Sequence, residues 1–522
     1  MIKTIIRPNT YMDSIFLMRA TKEVKSLKGV NQAVVVMGTE LNKTVLEDVG
    51  RLTKEAQEAG PGDLIISLEV TSEEAAEEVS RAIDEMSSKK GGGAEAVQEV
   101  RYTTIPMAVA DHEETNLAII SVPGEFAAEE AGKALDCGLN AFIFSDNVEL
   151  EAEVKLKELA AKKGLFVMGP GCGNSVIGGV SLGLMSVVSK GRIGIVGASG
   201  SGIHEIAALI TQKDFGISQA IGTGGRDLSK EVGGLTMLQG IDYLDNDPDT
   251  DVIVLVSKPP YPDTAAKIYR RVATCKKPVV IDLLGGKAEE VRGAGAYAPE
   301  SLEQAADMAV ALAKGEMPDE RPYLRDVKEQ LIPLAREERQ KLGESQKYVR
   351  GLFCGGTHNE ETILILKKFV KDLHANVSFG GAVLLDSPHI STGNSLVDMG
   401  DEEFTKGKPH PVMDPSILND RLMKEGRDPE TAVILFDMLL GYGAHEDPVG
   451  CIEDTIRNIR RQAEEENRYV SMVAAITGTQ LDPQKLSSQK QRLEALGVNV
   501  MESTAKAAVL AGLIAGEEKE SE

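Results

Sequence analysis

Between Arg192 and Ile210 the chain reads RIGIVGASGSGIHEIAALI, an apolar run that breaks into glycine and serine and then resumes with helical spacing. Gly197, Gly200 and Gly202 place no Cβ between a ligand and the backbone. Ser199 and Ser201 add hydroxyl donors, and Ile203, Ile206, Ala207 and Ile210 fall on one helical face. A helix starting here offers unpaired N–H groups and the positive end of its dipole, which together suit an anion. Two nucleotide patterns are excluded. Gly197 and Gly202 meet the glycine spacing of a P-loop, but Ile203 and His204 stand where Lys and Ser/Thr are required. The dinucleotide pattern fails because Gly194, Gly197 and Gly200 are misspaced and no acidic residue ends the next strand, ISQAIGT. The plainer alternative is a tight strand-to-helix turn with no ligand.

A second such unit lies at 348–366, YVRGLFCGGTHNEETILIL, where a strand again runs into glycines and a helix. Thr357 and Glu360 have the spacing of a capping box. Two units of this kind can aim two helix dipoles at one anion, with Gly197, Ser199, Gly200, Ser201, Gly202, Gly355, Gly356 and Thr357 as candidate phosphate-binding residues. The candidate catalytic groups are Arg226, Lys258, His410 and Asp398. Arg226, in GGRDLS, follows two glycines, where a guanidinium can clamp an anion bidentately; the alternative is an ion pair with Asp227. Lys258 precedes Pro259 and Pro260 at the carboxyl end of a strand, where open α/β sheets bind ligands. His410 sits between two prolines in GKPHPVMDP, a rigid setting for an imidazole that polarises a carbonyl. Asp398 and Asp414 flank it as orienting groups. His204 and His358 follow the two glycine turns, but a helix N-terminus disfavours imidazolium, so both are expected to point outward. Cys172 and Cys354 lie near helix starts that lower a thiol pKa; close packing of small residues is the expected role.

The elements that must position these groups alternate along all 522 residues. Apolar runs at 33–39, 63–70, 116–124, 139–145, 165–171, 192–197, 251–257, 278–286, 349–356, 432–441 and 470–478 are separated by amphipathic helical stretches such as 72–88. Most of the runs are continuous rather than alternating, which predicts strands covered on both faces and hence an α/β fold with several mostly parallel sheets. Breaks fall at the linker-like SSKKGGGAEA (87–96), the charged, proline-containing 316–348 and the tail GEEKESE; the stretch 181–191 is expected to separate two sheets. A net charge of −24 and the absence of Trp exclude nucleic acid as a partner. No apolar stretch reaches membrane-spanning length and no secretory leader is visible, so a cytoplasmic protein is expected. The five scattered cysteines form no CxxC pair, which argues against a zinc site or a disulfide framework, and no metal is expected.

The paired units resemble the succinyl-CoA synthetase and ATP-citrate lyase superfamily, in which helices from two flavodoxin-like domains point at one phosphate. Residues 122–175, with a GPxC turn at 169–172, resemble the later part of the α subunit's CoA-binding domain. Residues 191–206 and 221–260 resemble the segments that follow it, and 349–515 resemble the β subunit's ligase domain fused to the same chain. GGRDLSKEVGG, VSKPP, GKPHPVMDPS and TGTQLDPQ are similar to phrases of the FdrA family, described as predicted acyl-CoA synthetases. The resemblance covers nearly the whole chain. It implies an FdrA-type domain at 1–86, a linker at 87–100, a CoA-binding-like Rossmann domain at 101–189, an α-type ligase domain at 190–315, a linker at 316–347, a β-type ligase domain at 348–516 and a tail at 517–522.

The ligases carry phosphate on a histidine in a loop after the strand corresponding to PVVIDLLGG; here no histidine lies between His204 and His358. That absence, with the lack of an ATP-grasp segment, argues against ATP-driven acyl-CoA synthesis by this chain alone. FdrA-type proteins also resemble a component of oxamate carbamoyltransferase in allantoin breakdown, which converts oxalurate and phosphate to oxamate and carbamoyl phosphate. That chemistry needs a bound phosphate nucleophile and a stabilised oxyanion, and no phosphohistidine. The resemblance thus implies phosphate or a carbamoyl or acyl phosphate as bound substrate, CoA as a further ligand to be tested, and protein partner subunits in a hetero-oligomer. An NDP-forming acyl-CoA synthetase and a non-enzymatic scaffold binding CoA or phosphate are the competing functions.

Overall fold

The computed structural model describes residues 2–89 and 102–516, apart from positions 9, 11, 13, 26, 49 and 407. Most of the segment expected as a linker, and the whole of the expected tail, lie outside the described residues. The chain forms two units, 1–102 and 103–522.

In the first unit, strands Ile2–Arg7, Val30–Met37 and Leu64–Val70 form an antiparallel sheet with Leu64–Val70 in the centre. The helices Ser14–Lys25 and Glu73–Lys89 cover one face, where Leu64, Ile66, Leu68 and Val70 are buried. Ile65 packs on the other face with Leu46, Ala56 and Ala59. Coverage of both faces explains the continuous apolar run at 63–70. The strands are nevertheless antiparallel, which corrects the expectation of a parallel sheet here.

The second unit contains three sheets. Leu117–Ile120, Asn140–Ile143 and Val167–Met168 form a small parallel sheet. A six-stranded sheet follows in the order Val279–Leu283, Val252–Ser257, Lys190–Gly197, Ile217–Gly222, Asn174–Ile177, Val180–Gly183. Its first four strands are parallel, and the last two are an antiparallel hairpin. The hairpin turns on Gly178 and Gly179, both at positive φ, as a two-residue turn requires. Val180–Gly183 and Lys190–Gly197 therefore share one sheet, so 181–191 does not separate two sheets. The third sheet has seven strands, all parallel, in the order Val383–Leu384, Leu373–Ala375, Asn394–Asp398, Tyr348–Phe353, Thr431–Leu439, Ser471–Thr477, Asn499–Met501.

Each large sheet has apolar cores on both faces. Ile193 and Ile195 pack to one side of the six-stranded sheet and Val196 to the other. Leu352 and Phe436 lie on one side of the seven-stranded sheet, and Phe353 and Leu435 on the other. The architecture is α/β with several mostly parallel sheets. The charged connector holds one 18-residue helix, Tyr323–Gln340, with Pro333 inside it.

Candidate functional site

Strand Lys190–Gly197 is flanked by Ile217–Gly222 on one side and Val252–Ser257 on the other, so the chain order reverses there. Strand Tyr348–Phe353 holds the same position in its sheet, between Asn394–Asp398 and Thr431–Leu439. Open α/β sheets bind ligands beyond the carboxyl ends of strands at such reversals. Both glycine units sit there. One leads into helix Gly200–Gln212, capped by Ser199 Oγ, which accepts from Gly202 N at 3.1 Å. The other leads into helix Gly356–Leu366, capped by Gly355 with no side-chain bond.

The two helix ends meet. Ser199 Oγ and Thr357 Oγ1 are 2.6 Å apart, and Thr357 N donates to Ser201 Oγ at 3.2 Å. A Cβ placed on Gly355 would lie 2.8 Å from the Ser201 Cβ, so no larger residue fits at this junction. Thr357 is a second-position helix residue bonded across to Ser199, and Glu360 pairs elsewhere, so the expected capping box is not formed. Gly200, Ser201 and Gly356 are partly open to solvent at the rim, and first-turn amides have no intrahelical acceptor. Beside Ser199 a small cleft lined by Cys172, Asn174, Gly197, Gly200 and Gly222 has a volume of about 20 Å³. That space has room for one water molecule, and a phosphate would require it to widen.

Three candidate catalytic groups gather at the start of the 356–366 helix. Lys258 Nζ lies 2.5 Å from Glu360 Oε1, joining the six-stranded sheet to that helix. Burial raises the Glu360 carboxyl above its ordinary range, and Lys258 partly offsets this. Asp398 Oδ2 lies 2.8 Å from where a Gly356 Cβ would be, over the helix end. Burial pushes Asp398 up to about 7, against the pull of Gly400 N–H, which donates to Oδ1 at 2.9 Å. A Cβ on Gly400 would lie 2.9 Å from His410 Nε2 and 3.1 Å from Asp398 Oδ1, so both groups border one point. His410 Nδ1 accepts from Val412 N at 3.3 Å, which leaves Nε2 facing Gly400. Burial lowers the His410 pKa, so the ring stays neutral at pH values where a free imidazole would begin to take up a proton.

The structure does not bring the remaining candidates into this cluster. Asp414 accepts from Ser416 N at 3.1 Å, at the start of helix Ser416–Arg427. Arg226 donates to Glu153 Oε2 at 2.9 Å and to the Val148 carbonyl at 2.7 Å. Asp227 pairs instead with the buried Lys157 at 2.8 Å, which corrects the Arg226–Asp227 alternative. Cys172 and Cys354 are buried. Burial raises the Cys172 thiol to about 11 and Cys354 well above its ordinary value, so neither is a thiolate at neutral pH.

His204 and His358 are both fully buried rather than outward-pointing. His204 Nε2 lies 2.7 Å from Ser186 Oγ, and burial depresses its pKa to about 3. His358 is the opposite case. Burial alone would depress it, but Asp437, 2.8 Å from Nδ1, and Glu205, 3.1 Å from Nε2, hold its pKa up to about 10. The imidazolium disfavoured at a helix start is thus fixed by two carboxylates. Asp437 also accepts from Cys354 N at 2.6 Å and Gly355 N at 2.9 Å, and Glu205 accepts from Thr504 N at 2.9 Å. Asp282 and Glu361 complete the buried acidic group: burial and then Glu205 push Asp282 up to about 7 and Glu361 well above its ordinary range. Sequence reasoning missed Asp437 and Asp282. The signal was a lone carboxylate inside the apolar strands AVILFDMLLG and VVIDLL, which must be paired or neutral when buried.

Two mostly parallel sheets joined through helix N-termini at their chain reversals define the fold class of the CoA ligases. The CoA-ligase family model matches residues 352–514, and the CoA-binding domain model matches 188–285. The CoA-binding match falls on the first glycine unit, later in the chain than the 122–175 segment assigned by resemblance. Residues 1–102 match a model described as "AllF, heavy metal-associated domain". This segment contains neither Cys nor His, so it offers a metal no thiolate or imidazole ligand. Among the described residues no cluster of three or more His, Cys, Asp or Glu is arranged for a metal.

Over 516 residues the chain is 42% identical to "Uncharacterized protein YahF" of Escherichia coli K12, covering 98% of both chains. The chain belongs to this FdrA-like family within the succinyl-CoA ligase superfamily. It is 29% identical over 153 residues to the succinate–CoA ligase [ADP-forming] subunit alpha of Methanothermobacter thermautotrophicus, covering 29% of this chain and 51% of that one. An apo dinucleotide-forming acetyl-coenzyme A synthetase 1 of Ca. Korarchaeum cryptofilum aligns over 81% of this chain and 87% of its own, at 14% identity and a TM-score of 0.35. Among the described residues no helix is long and apolar enough to cross a membrane.

Proposed function

We propose that the chain catalyses phosphate-dependent carbamoyl or acyl transfer, of the oxamate carbamoyltransferase type in allantoin breakdown, together with partner subunits. The observation that carries this reading is the meeting of two helix N-termini, with Lys258, Asp398 and His410 at the rim and no loop histidine to accept a phosphoryl group. In this reading the amides of Gly200, Ser201 and Gly356 and the Lys258 ammonium hold phosphate. A phosphate oxygen attacks the carbamoyl carbon of oxalurate. The bond from that carbon to the oxamate nitrogen breaks, and the nitrogen takes up a proton, giving oxamate and carbamoyl phosphate. In this reading Asp398, with a pKa near neutral, supplies that proton, and His410 Nε2 donates to the developing oxyanion. The AllF description of the N-terminal match supports the allantoin link.

The CoA-binding match at 188–285 favours a second reading, an NDP-forming acyl-CoA synthetase. One experiment separates the two. The purified chain, with and without its genomic neighbours, receives oxamate plus carbamoyl phosphate in one mixture, and CoA, ATP and small carboxylates in another. Phosphate release in the first mixture alone supports transfer, and a thioester in the second overturns it. Tight binding of phosphate or CoA with no turnover favours a scaffold.

A further inference from the structure

Away from the helix junction, a groove of about 350 Å³ lies between the connector helix Tyr323–Gln340 and the last helix, Thr504–Ala515. Its floor is apolar, with Ile332, Phe369, Val509 and Leu513. Gly512 opens it: a Cβ there would lie 2.7 Å from the Phe369 ring, so any larger residue would displace that side chain. Its polar rim is cationic in a chain whose net charge is −24. Arg325, Lys328, Arg336, Arg339 and Lys368 line it, against one acid, Glu300, which accepts from Leu324 N at 3.1 Å. Arg339 is committed to the carboxyl end of the last helix, where Nε donates to Ile514 O at 3.1 Å. Arg325 contacts Asp326 at 3.4 Å. The Lys328 and Lys368 ammonium groups make no ion pair or hydrogen bond among the described residues, although both line the groove.

An apolar trough of this size under two uncommitted ammonium groups matches a ligand with an anionic head and an apolar body. We propose that the groove binds a small amphipathic carboxylate, its head at Lys328 and Lys368 and its body along Ile332, Phe369 and Leu513. Neither lysine belongs to the helix junction, so the proposal stands apart from the transfer reading.

The chain contains no tryptophan, so a single Leu324→Trp substitution at the groove wall gives a fluorophore without background. In the full chain, octanoate is expected to shift its emission saturably, butyrate more weakly, and octyltrimethylammonium not at all. Lys328→Glu with Lys368→Glu is expected to weaken octanoate by roughly tenfold or more without changing the emission of the free protein. An equal response to the cationic amphiphile, no effect of the charge reversals, or no saturable shift overturns the proposal. Binding seen only in a chain ending at Gly516 would assign the groove to the acidic segment that follows, and overturns it as well. If Leu324→Trp does not fold, calorimetry of octanoate with the unmodified chain and the double lysine variant gives the same decision.

Discussion

The two strand–glycine–helix corners share a position in their sheets and differ in how each is held. At 192–210 the turn is held by neutral groups: Ser199 caps its own helix, His204 is an uncharged ring bonded to Ser186, and the buried Glu205 is turned to the other corner, 3.1 Å from His358. At 348–366 the corner is ionic. Gly355 supplies no cap, and Asp437 takes the amides of Cys354 and Gly355 while pairing with His358. The neutral corner is held by its own cap and by hydrogen bonds between uncharged groups, Ser199 to Thr357 and His204 to Ser186. The ionic one is held by groups from other strands and from the opposite helix, through Glu205. The first corner leaves Gly200 and Ser201 partly open at the rim, and the second carries Glu360, which pairs with Lys258, and has Asp398 over its helix end.

The largest expected effect comes from breaking the ionic corner. Asp437→Asn leaves a buried imidazolium with one carboxylate, and should cost about 3–5 kcal/mol of stability in urea unfolding. The same pair gives the natural chain a pH signature. The folded pKa of His358 lies above its ordinary value, so its contribution is complete below pH 6.5 and lost as pH rises through about 10. Asp437→Asn should flatten that alkaline loss; a variant with an unchanged profile would show that His358 is not the group responsible.

Next in size is Lys258→Met, which should weaken sulfate, an anion of fixed charge, by about 1.5–3 kcal/mol in calorimetry. Undiminished affinity would remove Lys258 from the anion site. Ser199→Ala at the neutral corner should cost about 1 kcal/mol of stability, the usual worth of an N-cap. A loss as large as that of Asp437→Asn would erase the contrast between the corners. The smallest effect is a pH dependence of sulfate binding. Asp398 is protonated below about 7, so affinity should fall a few-fold as pH rises past that value, and Asp398→Asn should abolish the trend.

Both corners were legible because glycine clusters between an apolar run and a helical pattern have few other uses. The strands at 251–257, 432–441 and 470–478 were legible because full burial leaves an unbroken apolar run. That rule carries no strand direction, so the N-terminal sheet was misread as parallel. The short strands Leu373–Ala375, Val383–Leu384 and Asn394–Asp398 left no such run. The hairpin of 174–183 did leave a signal, the pair Gly178–Gly179 between the short runs NSVI and VSLG, that went unused. The ionic corner was illegible as a unit, since Glu205, His358 and Asp437 are far apart in sequence and only the fold brings them together.

The connector helix Tyr323–Gln340 does more than span a gap. Glu338 accepts from Tyr469 at 2.9 Å and Ser471 at 2.6 Å, which fastens the helix to the seven-stranded sheet. Because one continuous chain supplies both corners, their encounter is unimolecular, and the fastened connector raises the local concentration of each for the other. Completion of the junction is therefore indifferent to dilution, and half of it cannot be titrated away from the rest.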